Sequence, residues 1–211
     1  MSAVLVPATA TIGAVIEHPW ISAARLDARP HADVAAEARW RAVPSAAGLE
    51  VLRARGKSAF VAMLARALPE LPYDPQAWRL VDELDHPRAD ADDRVNRPRV
   101  HAVTRPADDA VEARLLVPYD MRVFEGHFAA IPLVPGMLQV AWAIELAHEH
   151  LAGVGAFRGI VAAKFRCLVR PGMALQLSLQ WLAAKTELRF EYHHDTTVVA
   201  GGRLRMAGVD V

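Results

Sequence analysis

One stretch constrains this chain more than any other: Phe124-Glu125-Gly126-His127-Phe128, then Pro132, Pro135 and Gly136, and the apolar run that follows. Pro135 suits the first turn of a helix, where its missing N–H costs nothing. Gly136 has no side chain, so a ligand can come close to its backbone N–H. Val140, Trp142, Ala143, Ile144, Leu146 and Ala147 continue as a mostly apolar helix over 135–151, stopped near Gly153 and Gly155. A helix start offers free N–H groups and the positive end of the helix dipole. An imidazole beside such an end suits acyl chemistry: the ring moves a proton while the N–H groups hold a carbonyl oxygen as it gains charge. His127 is one of nine histidines, so the surrounding pattern is what singles it out.

A second landmark is Lys164-Phe165-Arg166-Cys167-Leu168-Val169-Arg170-Pro171-Gly172. There a strand ends on an aromatic and a basic residue, and Pro-Gly opens the next strand. Together the two phrases resemble hotdog-fold 3-hydroxyacyl-ACP dehydratases of the fatty-acid and aryl-polyene pigment type, over roughly residues 108–211. The resemblance implies an antiparallel sheet wrapped around one long helix. It implies a substrate carried as a thioester on the phosphopantetheine arm of an acyl carrier protein, with no other cofactor. His127 would take the C2 proton and the Gly136 N–H would hold the thioester carbonyl. Phe128, Pro135, Gln139, Trp142, Phe165 and Arg166 would line the acyl site, Gln139 and Trp142 resembling the pigment-pathway members. Arg158, Arg166 and Arg170 would face the carrier protein or its arm.

The chain departs from the family at the proton donor. Family members carry Glu or Asp fourteen residues after the histidine, reaching the partner subunit's site; here that position is Ala141. Glu145, four residues on, lies on the same helix face about one turn further along. Buried against Trp142, Ile144 and Leu146, it would stay protonated and could serve. Equally it reads as a solvated helix residue or a partner for Arg158 or His148. The alternatives are thioester hydrolysis, with His127 or Glu145 activating water, and an impaired subunit that supports an active hotdog partner. A homodimer or a heterodimer with another hotdog chain is expected, because one helix in one sheet leaves an edge uncovered.

Composition excludes several other classes. Across 211 residues the formal net charge is zero and 53% are hydrophobic, so nothing draws the chain to nucleic acid. Cys167 is the one cysteine, which rules out an intrachain disulfide; its strand-like setting reads as a buried small hydrophobe. No run of about 18 apolar residues could span a bilayer, and Met1 to Ile16 lacks the basic leader of a signal peptide, so the cytoplasm is the expected location. His148 and His150 read as helix-end residues that suit the dipole. His193-His194-Asp195 is not expected to bind metal, since adjacent strand side chains point apart.

Residues 1–100 read as a separate α/β module, and 101–211 as the hotdog domain of an α+β chain. In the module a short helix over 11–17, a strand over 21–26, a strand over 33–43, a helix over 58–68 and a strand over 78–84 are predicted. The charged run 85–99 reads as a linker. Val15-Ile16-Glu17-His18-Pro19-Trp20 with Trp78-Arg79-Leu80-Val81-Asp82-Glu83-Leu84 resembles the C-terminal domain of adenylate-forming acyl ligases, over residues 10–90. Those ligases place a catalytic lysine soon after the second phrase; 85–99 has none, which implies a degenerate module used as a lid or docking element. In the hotdog region, strands are predicted over 109–117, 159–165, 173–181, 188–193 and 198–206, with Gly201-Gly202 at turns or bulges.

Overall fold

The computed structural model describes residues 9–27, 39–71, 74–85, 96–126 and 131–208. It divides into two compact units: Met1–Val95 with Pro118–Pro132, and Asn96–Val117 with Leu133–Val211. The division therefore differs from a simple cut at residue 100. The segment that leads to His127 belongs with the first unit.

The first unit holds α1 (Thr9–Glu17), β1 (Ile21–Asp27), β2 (Arg39–Pro44), α2 (Ala46–Ala67), β3 (Trp78–Leu80) and the short α3 (Val123–Gly126). β1 pairs antiparallel with β2, and β2 parallel with β3. The parallel pair needs a crossover, and α2 supplies it. Phe60, Val61 and Leu64 from α2 are fully buried in a core with Trp40 and Trp78. The two indoles stack at 5.4 Å, 16° from parallel. Ser45 caps α2, its Oγ accepting from the Gly48 N–H. Only the second half of α2 was expected as helix. The first half, from Ala46, is interrupted by Gly48 and ends at Gly56, where φ 74° and ψ 170° break the helix. That backbone region is open to little but glycine. The strand predicted over 33–43 is described only from Arg39, and β3 stops at Leu80 rather than at 84. Most of the expected linker, residues 86–95, lies outside the described residues.

The second unit is one six-stranded antiparallel sheet and one long helix. Its elements are β4 (Arg99–Ala107), β5 (Ala110–Leu116), α4 (Gly136–His150), β6 (Val154–Phe165), β7 (Ala174–Leu182), β8 (Glu187–His194) and β9 (Thr197–Gly208). The sheet order is β4-β5-β7-β8-β9-β6. This is the expected wrapped-helix architecture. Alternation decides which face is buried: Leu175, Leu177, Leu179 and Trp181 of β7 point inward, with Ala174, Gln176 and Gln180 outward. Register then sets Ala113, Leu177 and Tyr192 across three strands, and Val111, Leu179 and Phe190 beside them. Val140, Trp142, Ala143, Leu146 and Ala147 form the buried face of α4. Each fully buried leucine or phenylalanine here contributes about 1.5–3 kcal/mol.

Two predicted features change. β4 was not expected as a strand, because most of its residues are exposed and carry no apolar alternation. Gly201 and Gly202 lie inside β9, not at a turn. A Cβ on Gly202 would run into the Ala162 carbonyl and the Phe190 ring, so the glycine lets β6 and β8 close on β9. The two outer strands of the sheet are β4 and β6. On β6, Phe157, Ile160, Val161 and Phe165 are exposed large apolar residues, an uncovered edge that proteins normally pair or protect.

A buried hydrogen bond ties the helix to the sheet. The buried Tyr192 hydroxyl of β8 donates to the Gln139 carbonyl of α4 at 2.8 Å. Burial, and after it the Glu145 carboxylate, push the phenol well above its usual range. Tyr192 is thus neutral in the fold at any pH where the free side chain begins to ionise, near 10. Its contribution is whole below that pH and is lost above it, as ionisation comes to favour the unfolded chain. Tyr192→Phe is expected to cost about 1 kcal/mol near neutral pH. In denaturant titrations the gap from wild type should narrow as pH rises past 10. Gly202→Ala should cost about 1–3 kcal/mol by the same measurement, because the obstructing atom is backbone.

Candidate active site

The start of α4 is built from three sides. Upstream, the Val134 N–H donates to the Val169 carbonyl at 2.8 Å, fixing the approach to the helix. Pro135, at φ −57° and ψ 143°, is the cap rather than the first helical residue, and its carbonyl accepts from the Leu138 and Gln139 N–H groups. A proline has no side-chain oxygen, so no side-chain cap closes this end. The amides of Gly136 and Met137 precede the first carbonyl that the helix offers them. Across from them, β6 ends at Phe165, whose ring lies against Gly136; a Cβ there would meet the ring at 2.7 Å. The chain is then held by the Arg166 and Cys167 N–H groups, both donating to the Val199 carbonyl. Gly136 is thus required by the ring as well as suited to a close-approaching ligand. Phe165 is 45% exposed, an apolar surface beside an open helix start.

Further along α4, Gln139 is 2% exposed. Its amide Nε2 donates to the Val134 carbonyl at 3.3 Å, while its buried Oε1 has no protein partner. Trp142 is buried and its indole N–H donates to the Asn96 carbonyl at 2.7 Å. That is a packing and anchoring role, pinning the chain just before β4. Glu145 follows the solvated reading and not the buried one. Its carboxylate is 41% exposed and pairs with Arg97 at 3.2 Å, rather than being buried against Trp142, Ile144 and Leu146. Neither expected alternative partner, Arg158 or His148, takes it; His148 bonds the Gly155 carbonyl instead. Arg97 lies in the charged run that carried no pattern, so nothing in the sequence marked it. Tyr192 was equally invisible, being one inward residue of an alternating strand.

His127 and Phe128 lie outside the described residues, which stop at Gly126, the last residue of α3. Cys167 is exposed, not buried, because β6 has ended two residues earlier. Arg158 and Arg166 are exposed, and Arg170 is half-buried. His193 and His194 turn to different partners, the Glu191 carboxylate and the Ala174 carbonyl, each at 2.7 Å. Among the described residues no helix is long and apolar enough to cross a membrane.

Comparison with known proteins agrees with this geometry. Residues 103–203 match the ApeI-like family, described as ApeI dehydratase. A 3-hydroxyacyl-[acyl-carrier-protein] dehydratase FabZ from Ruminiclostridium cellulolyticum is 32% identical over 94 residues, 40% of this chain and 66% of the relative. The corresponding protein of Acetivibrio thermocellus is 33% identical over 97 residues, 41% of this chain and 66% of the relative. The chain thus spans just under two thirds of the length of either. Among solved structures, the dehydratase heterocomplex ApeI:P from Xenorhabdus doucetiae is similar, with 29% identity and a TM-score of 0.50 over 53% of this chain and 98% of that one. Over residues 103–203 the second unit thus has the hotdog architecture and is similar in sequence to 3-hydroxyacyl-ACP dehydratase-type proteins.

Proposed function

We propose that this protein dehydrates 3-hydroxyacyl thioesters carried on an acyl carrier protein, in fatty-acid or aryl-polyene pigment synthesis. The observation that carries this reading is the uncapped start of α4, where the Gly136 amide stands beside the exposed Phe165 ring. In the proposed reaction the His127 imidazole takes the proton from C2. The Gly136 N–H holds the thioester oxygen as it gains negative charge. The C3–O bond then breaks, a neutral carboxylic acid gives its proton to the departing hydroxide, and water leaves with a C2=C3 double bond formed. Glu145 is the carboxyl group of this chain assigned to that last step. Its charge reaches the buried Tyr192 phenol of β8.

A second reading is favoured by one specific observation. Ala141 replaces the usual acid, and Glu145 is engaged by Arg97, a partner for the anion and not for a proton donor. The relative from Xenorhabdus doucetiae is described as a heterocomplex. In this reading a different hotdog chain covers the apolar β6 edge and brings the missing acid to His127.

Two measurements decide between them. Hydration of a crotonyl thioester by the purified protein is expected, with His127→Ala lowering the rate by about 10²–10⁴ and Glu145→Gln by a similar factor. An active protein indifferent to Glu145→Gln, or an inactive one that gains activity with a second hotdog chain, moves the assignment to the second reading. Release of free thiol from a saturated acyl thioester would instead mark a thioesterase. For the edge, Ile160→Asp on β6 should convert an oligomer to monomers in sedimentation, because a charge cannot be buried there unpaired.

A further inference from the structure

Lys57 is one of only three lysines, with Lys164 and Lys185, in a chain that otherwise uses arginine. It stands immediately after the Gly56 break in α2. Its side chain is 11% exposed, and its ammonium meets both oxygens of Asp120, at 2.9 and 3.1 Å. Asp120 is itself 8% exposed at the side chain, and its Oδ2 also accepts from the Leu80 N–H at 3.4 Å. The same ammonium lies 3.9 Å from Glu125. One cation therefore holds two carboxylates that bracket a short piece of chain. Within that piece Met121 and Phe124 are buried, and the Phe124 and Glu125 N–H groups close the turn on Met121 and Arg122. The next residues are Gly126 and His127.

The chemistry fits a tether better than a plain surface ion pair. A compact ammonium can serve two carboxylates at an angle, whereas a guanidinium fork prefers one in its plane. The pair is mostly out of water, so its removal is felt far more than that of an exposed pair. The Gly56 break restarts the helix at Lys57 and sets where that side chain leaves it. Neither the ligase-like phrases nor the hotdog phrases include Lys57 or Asp120.

We propose that Lys57, through Asp120 and Glu125, is a positioning residue that fixes the segment leading to His127. The first unit then acts as a clamp on the catalytic loop, and not merely as a remnant. This proposal rests on the dehydratase reading for its kinetic consequence but not for its structural one.

The test uses the full chain and the variants Lys57→Met, Asp120→Asn and the double variant. Hydrogen exchange followed by mass spectrometry should show amides of residues 118–126 opening about tenfold faster or more in each, with other peptides of the first unit little changed. With a crotonyl thioester, kcat should fall roughly 10–100-fold while KM stays within about twofold, as expected when a reacting group is misplaced and substrate binding is not. The double variant removes both charges of the buried Lys57–Asp120 pair, so its melting should return toward wild type while exchange and kcat stay impaired; it keeps the test open if a single variant does not fold. Lys57→Arg should recover part of the loss. Wild-type exchange at 118–126 in the double variant, or acceleration spread evenly over the first unit, overturns the clamp. So does an unchanged kcat in an active protein. If wild type turns over no thioester, the dehydratase reading falls and the exchange result alone decides the clamp.

Discussion

Burial of one face of α4 against the inner face of the antiparallel sheet is the interaction on which the second unit depends. Val140, Trp142, Ala143, Leu146 and Ala147 supply the helix side, and β6, β7 and β8 are among the strands they meet. A helix this apolar cannot stand in water, and a sheet of this width must cover one face. Small residues are fully buried on both sides: Ala143 and Ala147 on the helix, Ala113 and Ala200 on the strands. The Tyr192 hydroxyl then fixes the helix by bonding a main-chain carbonyl, so both its height and its rotation are set.

That packing has two consequences for chemistry. Placing the helix in the sheet places its N-terminus beside the end of β6, where Phe165 lies on Gly136. The open amides and the apolar ring come together because strand length and helix length agree. The packing also leaves β6 with one neighbour, β9, and a row of exposed apolar side chains. The same arrangement thus presents an uncapped helix start and an uncovered apolar sheet edge. The Glu145–Arg97 pair sits within this frame and engages one of the two carboxylates of α4.

The first unit follows different rules. A crossover helix between two parallel strands, with stacked tryptophans beneath it, makes a small core of its own. Its departure from a plain βαβ unit is the Gly56 break and the buried lysine that follows. Burying an ammonium with a carboxylate costs solvation on both sides, so such a pair stabilises less than it specifies. What it specifies here is the path of the chain just before α3.

Several elements could be read directly from residues. β7, β8 and β9 alternate, α4 is apolar behind a proline and a glycine, and β1 follows a turn; each lies close to where pattern placed it. The Gly136 helix start was likewise legible, since glycine after proline is a local signal. β4 was not, because an edge strand exposed on both faces has no reason to alternate. Half of α2 was hidden by its two glycines, one of them required for the break. The partners of Glu145, Trp142 and Tyr192 were hidden for a different reason. Arg97, Asn96 and the Gln139 carbonyl are brought to them by the fold over tens of residues. Local order determines periodicity, caps and breaks, because these depend on neighbours within a turn or a pleat. Which charge meets which, and whether a carboxyl is dry or paired, is decided only when distant segments share one space.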